Sequence, residues 1–282
     1  MSDDTAGPPV RSAPVSLSQA LATDGVRRVV LTVAYLFCLV GALNAFGVID
    51  DRPPTLAEVL PPTASLLAAA AEADRLWWVV MVGLGVHAAW MWLPVSAGDP
   101  RGRAVAYPAS ASMALLGVWF FVVRGGELIP AAVSVLTVLA TLIWTLRVAG
   151  GVPSRTFLGR QFTQLGLAVT LGWMSVVAAE ILAGASAAHH VRAIAVSGET
   201  WGILAVTALL GFGMALLRYL PGRLYLACAM AWGFVWIAYA RLLGSPKAYG
   251  LGVVSLICAP LVLIAGVTVF LWARGRKHEG VR

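Results

Sequence analysis

Glu180 stands in the run GWMSVVAAEILAG, Gly172 to Gly184, whose other members are small or apolar. A carboxylate at mid-helix depth in a bilayer costs about 2.5–3.5 kcal/mol on insertion scales, so it must face protein, lie near an interface or hold a proton. On a helix, Trp173, Val177, Glu180 and Gly184 share one face, which turns the carboxyl group toward the same space as an indole. Tyr225, Trp232, Trp236 and Tyr239 also follow one another at helical spacing. Such a stripe either packs a bundle or walls a site for a flat apolar ligand, because ring faces give rigid contact at small entropic cost. The candidate ligand-binding residues are therefore Trp173, Glu180, Trp232, Trp236 and Tyr239. His87, one turn before Trp90, is counted with them, although a lone imidazole specifies neither a metal nor haem and more often packs by hydrogen bonding.

Glu180 admits more than one role. Arg241 lies at a similar depth at the end of the aromatic stripe, and an ion pair between the two would fix helix register. Glu180 could instead supply the polar contact of a pocket walled by Trp173, Trp232 and Trp236, or act as the protonatable coupling group of a transporter. Enzymatic chemistry has little support: HExxH, GxxxxGK[ST] and GxSxG are absent, and neither lysine lies in a span where a retinal Schiff base could form. His189 and His190 are adjacent and do not share a helix face, so they make a poor chelating pair. Cys38, Cys228 and Cys258 fall within apolar spans and read as small packing residues. No metal and no cofactor is expected, and the chain is not expected to be an enzyme.

The elements that must position these residues are membrane helices. The 282 residues are 60% hydrophobic and 12% charged, with a mean hydropathy of +0.84. Their apolar runs reach the ~20 residues that a helix needs to cross about 30 Å of hydrocarbon. The expected fold is all-α, a polytopic transmembrane helix bundle of about eight spans. They are read at Val29–Ile49, Leu76–Val95, Ala104–Val123, Leu128–Ala149, Gln161–Ala185, Trp201–Leu220, Leu224–Leu243 and Leu251–Ala273. Residues 1–27 are expected to form a disordered cytoplasmic tail, 28–274 the transmembrane domain and 275–282 a basic cytoplasmic tail.

Of the 20 Lys and Arg residues, Arg52, Arg75, Arg124, Arg192, Arg241 and Lys247 fall on one side of these spans and the rest on the side of both termini. Both termini are thus expected in the cytoplasm. The net charge of +7 is accounted for by orientation and by contact with anionic lipid, with no nucleic-acid partner implied.

Between the first two spans lies a long outer loop. Thr55-Leu56-Ala57-Glu58 has capping-box spacing, which predicts a short surface helix, and the Ala-rich Ser65–Ala73 suggests a second. Trp77, Trp78, Trp144, Trp201 and Trp272 lie near span ends, as headgroup-level anchors do. Asn44 reads as polar glue between helices.

Taken in order, these features resemble a known family. They include Leu43-Asn44-Ala45-Phe46-Gly47 closing the first span, Thr55-Leu56-Ala57-Glu58-Val59 in the outer loop, and a second span running from Trp77-Trp78 to Leu93-Pro94. Ser154-Arg155, Leu171-Gly172-Trp173 and the Trp232–Trp236 run complete the series. The chain resembles the tryptophan-rich sensory proteins, relatives of the TspO/MBR (translocator protein, peripheral benzodiazepine receptor) group. The resemblance implies a membrane receptor or sensor that binds a porphyrin, sterol-like or other flat apolar molecule, with transport as the alternative. It also implies an integral protein of the bacterial cytoplasmic membrane, in contact with lipid, and leaves room for a homodimer. The chain departs from the family pattern where relatives carry an Asn beyond the Gly-Trp pair and this sequence has Glu180 nearby.

Overall fold

The computed structural model describes residues 17–96, 98–188 and 197–279. Among these residues nine α-helices occur: α1 (Leu17–Ala45), α2 (Leu56–Val59), α3 (Leu76–Trp90), α4 (Pro100–Arg124), α5 (Leu128–Gly151), α6 (Phe157–Ala188), α7 (Gly198–Tyr219), α8 (Arg223–Leu242) and α9 (Tyr249–Glu279). Each predicted span corresponds to one of the eight long helices, and seven of these are long and apolar enough to cross a membrane. The eighth, α3, has 15 residues and continues directly from a 3₁₀ turn, Ala71–Arg75. Helix α1 begins at Leu17, within the stretch expected as a tail, whose earlier residues lie outside those described. His189-His190 also lies outside the described residues.

The consecutive pairs α4–α5, α5–α6 and α8–α9 pack as antiparallel neighbours, because turns such as residues 125–127 between α4 and α5 are too short to return across the bundle. Helix α6 is the spine: it packs against α3, α5 and α8, and 78% of its most apolar window is buried. Helices α1 and α4 close one flank, and α7 and α9 pack on the far side of α8. The outer faces of α1, α7 and α9 present Val, Leu and Ile side chains, which suits contact with lipid.

Close approach between helices depends on glycines, paired at Gly83 and Gly166 and single at Gly172. A Cβ added at Gly166 of α6 would stand 2.5 Å from the Gly83 carbonyl carbon of α3, and one added at Gly172 would stand 2.6 Å from the Leu226 carbonyl oxygen of α8. These contacts are with backbone, so no rotamer change relieves them. Gly166→Val therefore separates α3 from α6 and destabilises the protein by about 1–3 kcal/mol. Unfolding of the detergent-solubilised variant measures this, and wild-type stability would contradict the crossing.

The outer loop departs from the surface helices expected of it. Helix α2 forms as the capping box implies, with the Thr55 amide donating to Glu58 Oε2 at 2.7 Å. Ser65–Ala70, in contrast, is a strap of turns and extended chain, and its Ala68, Ala69 and Ala70 are buried. Its backbone groups have partners on the bundle, so no helix is needed to satisfy them. Arg124 anchors the beginning of this loop by donating to the carbonyls of Asn44, Asp50 and Arg52 and to the Asn44 side chain. That places Asn44 at the α1–α4 contact, as its reading as interhelical glue requires.

Candidate functional site

Three tryptophans from three helices meet beneath the strap. Trp77 of α3 stacks on Trp119 of α4, with ring centroids 5.4 Å apart and planes at 26°. It meets Trp173 of α6 edge to face at 6.0 Å. Phe120 packs against Trp77 at 4.9 Å and Phe46 backs both. Trp77 is only 1% exposed. This corrects the expectation of a headgroup-level anchor at Trp77: the 3₁₀ turn and the strap fold over the start of α3 and bury it. Its neighbour Trp78 is 49% exposed, and Trp144, Trp201 and Trp272 are exposed as interfacial anchors are.

A cavity runs from these indoles to the strap. It is lined by Trp77, Trp119, Trp173 and Val177, and by two carboxyl side chains, Asp74 and Glu180. Its free space is about 30 Å³, room for a water molecule or two. The indole N–H groups of Trp119 and Trp173 are buried without a partner. An unsatisfied buried donor costs about 1–3 kcal/mol, which makes these two groups available to an acceptor.

Glu180 and Arg241 are joined through the strap. Glu180 Oε1 accepts a hydrogen bond from the Ala69 amide. Arg241 Nη2 donates to the Ala68 carbonyl at 3.3 Å and to the Pro62 carbonyl at 2.5 Å, and Nη1 reaches Pro246 at 3.2 Å. The Ala68 carbonyl and the Ala69 amide belong to one peptide group, so that group is held between guanidinium and carboxylate. A direct Glu180–Arg241 ion pair does not occur; the peptide stands between them. Trp236 and Trp232 hold the next turn: the Trp236 carbonyl accepts from the Ala70 amide at 3.2 Å, and Trp232 Nε1 donates to the Ala73 carbonyl at 3.0 Å.

The structure thus brings Trp173 and Glu180 onto one chamber and places Trp232 and Trp236 behind the strap as its fasteners. Tyr239 contacts Trp236 at 5.3 Å but is 46% exposed on the outer face of α8. His87 is fully buried in α3 and does not line this cavity, and neither ring nitrogen has a hydrogen-bond partner. Asp74, Trp77 and Trp119 were not among the expected site residues. The helical interval between Asp74 and Trp77 is the one signal that could have linked the first two.

Burial pushes the Asp74 carboxyl up to about 6 from 3.8, against a hydrogen bond from Trp77 that lowers it. The folded protein therefore holds this proton more tightly than the unfolded chain does. Stability is highest below the ordinary value and falls as pH rises toward about 6. Asp74→Asn should remove that part of the decline. Unfolding midpoints of wild type and variant measured from about pH 4 to about pH 7 should diverge as pH rises; a constant difference would contradict the assignment.

The family model for TSPO-like protein matches residues 28–271, from within α1 to within α9. The chain belongs to the TSPO-like protein family. Comparison with curated proteins and with solved structures gives no match. This TSPO-like protein is an integral membrane protein, its chamber set among apolar helices and capped by the loop between α1 and α3.

Proposed function

We propose that this TSPO-like protein is a non-enzymatic membrane receptor or sensor that takes a flat apolar molecule, tetrapyrrole- or lipid-like, between Trp77, Trp119 and Trp173. The observation that carries this reading is the convergence of three buried indoles, two with unpartnered N–H donors, and two carboxyl side chains on one chamber. Ring faces suit a planar body, the N–H groups suit its acceptors, and Asp74 and Glu180 suit its donors. Entry requires the strap to move, since the chamber has only about 30 Å³ free. Binding and strap displacement are then one event, which is what a sensor needs. The proposed setting is the bacterial cytoplasmic membrane with both termini inside, which puts the strap on the outer face.

Protoporphyrin IX is a suitable probe. Titrated into the protein in lipid nanodiscs, it should quench tryptophan fluorescence saturably. Trp173→Leu and Glu180→Gln should each weaken that binding about tenfold or more, the effect of losing an anchor ring or a buried polar contact. Unchanged affinity in both folded variants would remove the chamber from consideration.

A second reading, a proton-coupled transporter, is favoured by one feature: Glu180 lies on the boundary between two cavities. A protonatable group so placed can face either space in turn. Proteoliposome flux separates the readings, because a receptor binds the porphyrin without moving it across the bilayer.

A further inference from the structure

A second cavity lies beside the first. It lies on the strap side of Glu180, with about 320 Å³ of free space, more than ten times that of the aromatic chamber. This is within the range of about 300–1,000 Å³ typical of small-molecule sites. Its walls are Val59, Leu60, Ala64 and Ala68 of the outer loop, Leu128 at the start of α5, and the last turns of α6 from Gly184 to Ala188. Polar character comes from two side chains, Glu180 and Ser65. Ser65 is 9% exposed and its hydroxyl has no hydrogen-bond partner.

Charge decides what such a cavity takes. Among the described residues no basic side chain forms an ion pair with Glu180: Arg241 directs its Nη groups to the carbonyls of Pro62, Ala68 and Pro246. Among the described residues two other charged groups act on Glu180: Asp74, also acidic, in the aromatic chamber, and Arg241, whose guanidinium lies beyond the Ala68–Ala69 peptide and leaves the outer-cavity side of the carboxyl group without a cation. A cation on the open side of Glu180 would meet a carboxyl group in low-dielectric surroundings, where a charge-assisted hydrogen bond is strong. The remaining walls are apolar, so the cation must be attached to an apolar body small enough for the cavity.

We propose that this outer cavity binds a compact apolar amine, its ammonium group on Glu180 and within reach of the Ser65 hydroxyl. The site is separate from the aromatic chamber and shares only the Glu180 and Leu60 walls with it. An amine seated there also bears on the carboxylate that holds the Ala69 amide, so it links the outer cavity to the strap.

The test uses 2-phenylethylamine and its uncharged analogue of the same shape, 2-phenylethanol, titrated by calorimetry into the full chain in nanodiscs. The amine should bind saturably and about tenfold or more tighter than the alcohol. Gly184→Leu should abolish amine binding. A Cβ at Gly184 meets only the Leu128 Cδ1 at 3.9 Å, so the new side chain fits while filling the cavity. Ala187→Leu, from the same wall, serves as the second filling variant. Porphyrin quenching should persist in both, and Trp173→Leu should leave amine binding intact. Equal amine and alcohol affinity, or amine binding that survives both filling variants, overturns the proposal. In the unsubstituted protein, amine binding without porphyrin quenching tells against the aromatic chamber alone, and porphyrin quenching without amine binding tells against the outer cavity alone.

Discussion

Arg241→Leu is expected to destabilise this protein by about 3 kcal/mol or more, since each buried carbonyl left without its donor costs about 1–3 kcal/mol. The guanidinium is fully buried and donates to three carbonyls that the substitution would leave without that donor. Glu180 would also lose the cation that faces it across the Ala68–Ala69 peptide group. Arg241→Lys recovers only part of this, since one ammonium on a flexible stem does not reproduce the planar fork that spans Pro62, Ala68 and Pro246. Hydrogen exchange gives a local readout: the Ala69 and Ala70 amides, held by Glu180 and by the Trp236 carbonyl, should exchange at least tenfold faster in Arg241→Leu. Wild-type exchange at these two amides would mean that Arg241 does not hold the strap.

Adjacent tryptophans should respond very differently to truncation. Trp77→Ala removes a buried ring that contacts Phe46, Trp119, Phe120 and Trp173, and costs about 3–5 kcal/mol. Trp78→Ala removes a half-exposed ring in contact with Phe46, and stays below about 1.5 kcal/mol, the size of one ring pair. Unfolding of the two variants side by side measures the contrast. Equal losses would place Trp77 at the interface, where span-end position alone would put it.

That contrast marks the limit of what was legible in the sequence. Continuous apolar runs identify the long helices because a bilayer requires internal hydrogen bonding over a known length. The shared face of Trp173 and Glu180 was legible because helical periodicity is local. Trp77 was misplaced because its depth depends on a loop that folds back over it. Ser65–Ala73 is Ala-rich and favours helix by propensity, yet its amides and carbonyls go to Glu180, Arg241, Trp232 and the Trp236 backbone, all more than a hundred positions away in the chain. Periodicity does not say what covers the α8 stripe: the strap is fastened to Trp232 and Trp236, Tyr225 donates to Gln161 Oε1, and Tyr239 is half-exposed. The similar depth of Glu180 and Arg241 was likewise readable, while the peptide group between them was not.

The placement of the ligand under the strap is the claim on which the functional account turns. A structure of the full chain with protoporphyrin IX in nanodiscs tests it most directly. The account predicts the ring system among Trp77, Trp119 and Trp173, with the Ala68–Ala69 peptide drawn away from Glu180. A porphyrin on the lipid-facing side of Tyr239 and Trp236, with the strap still fastened, would contradict it.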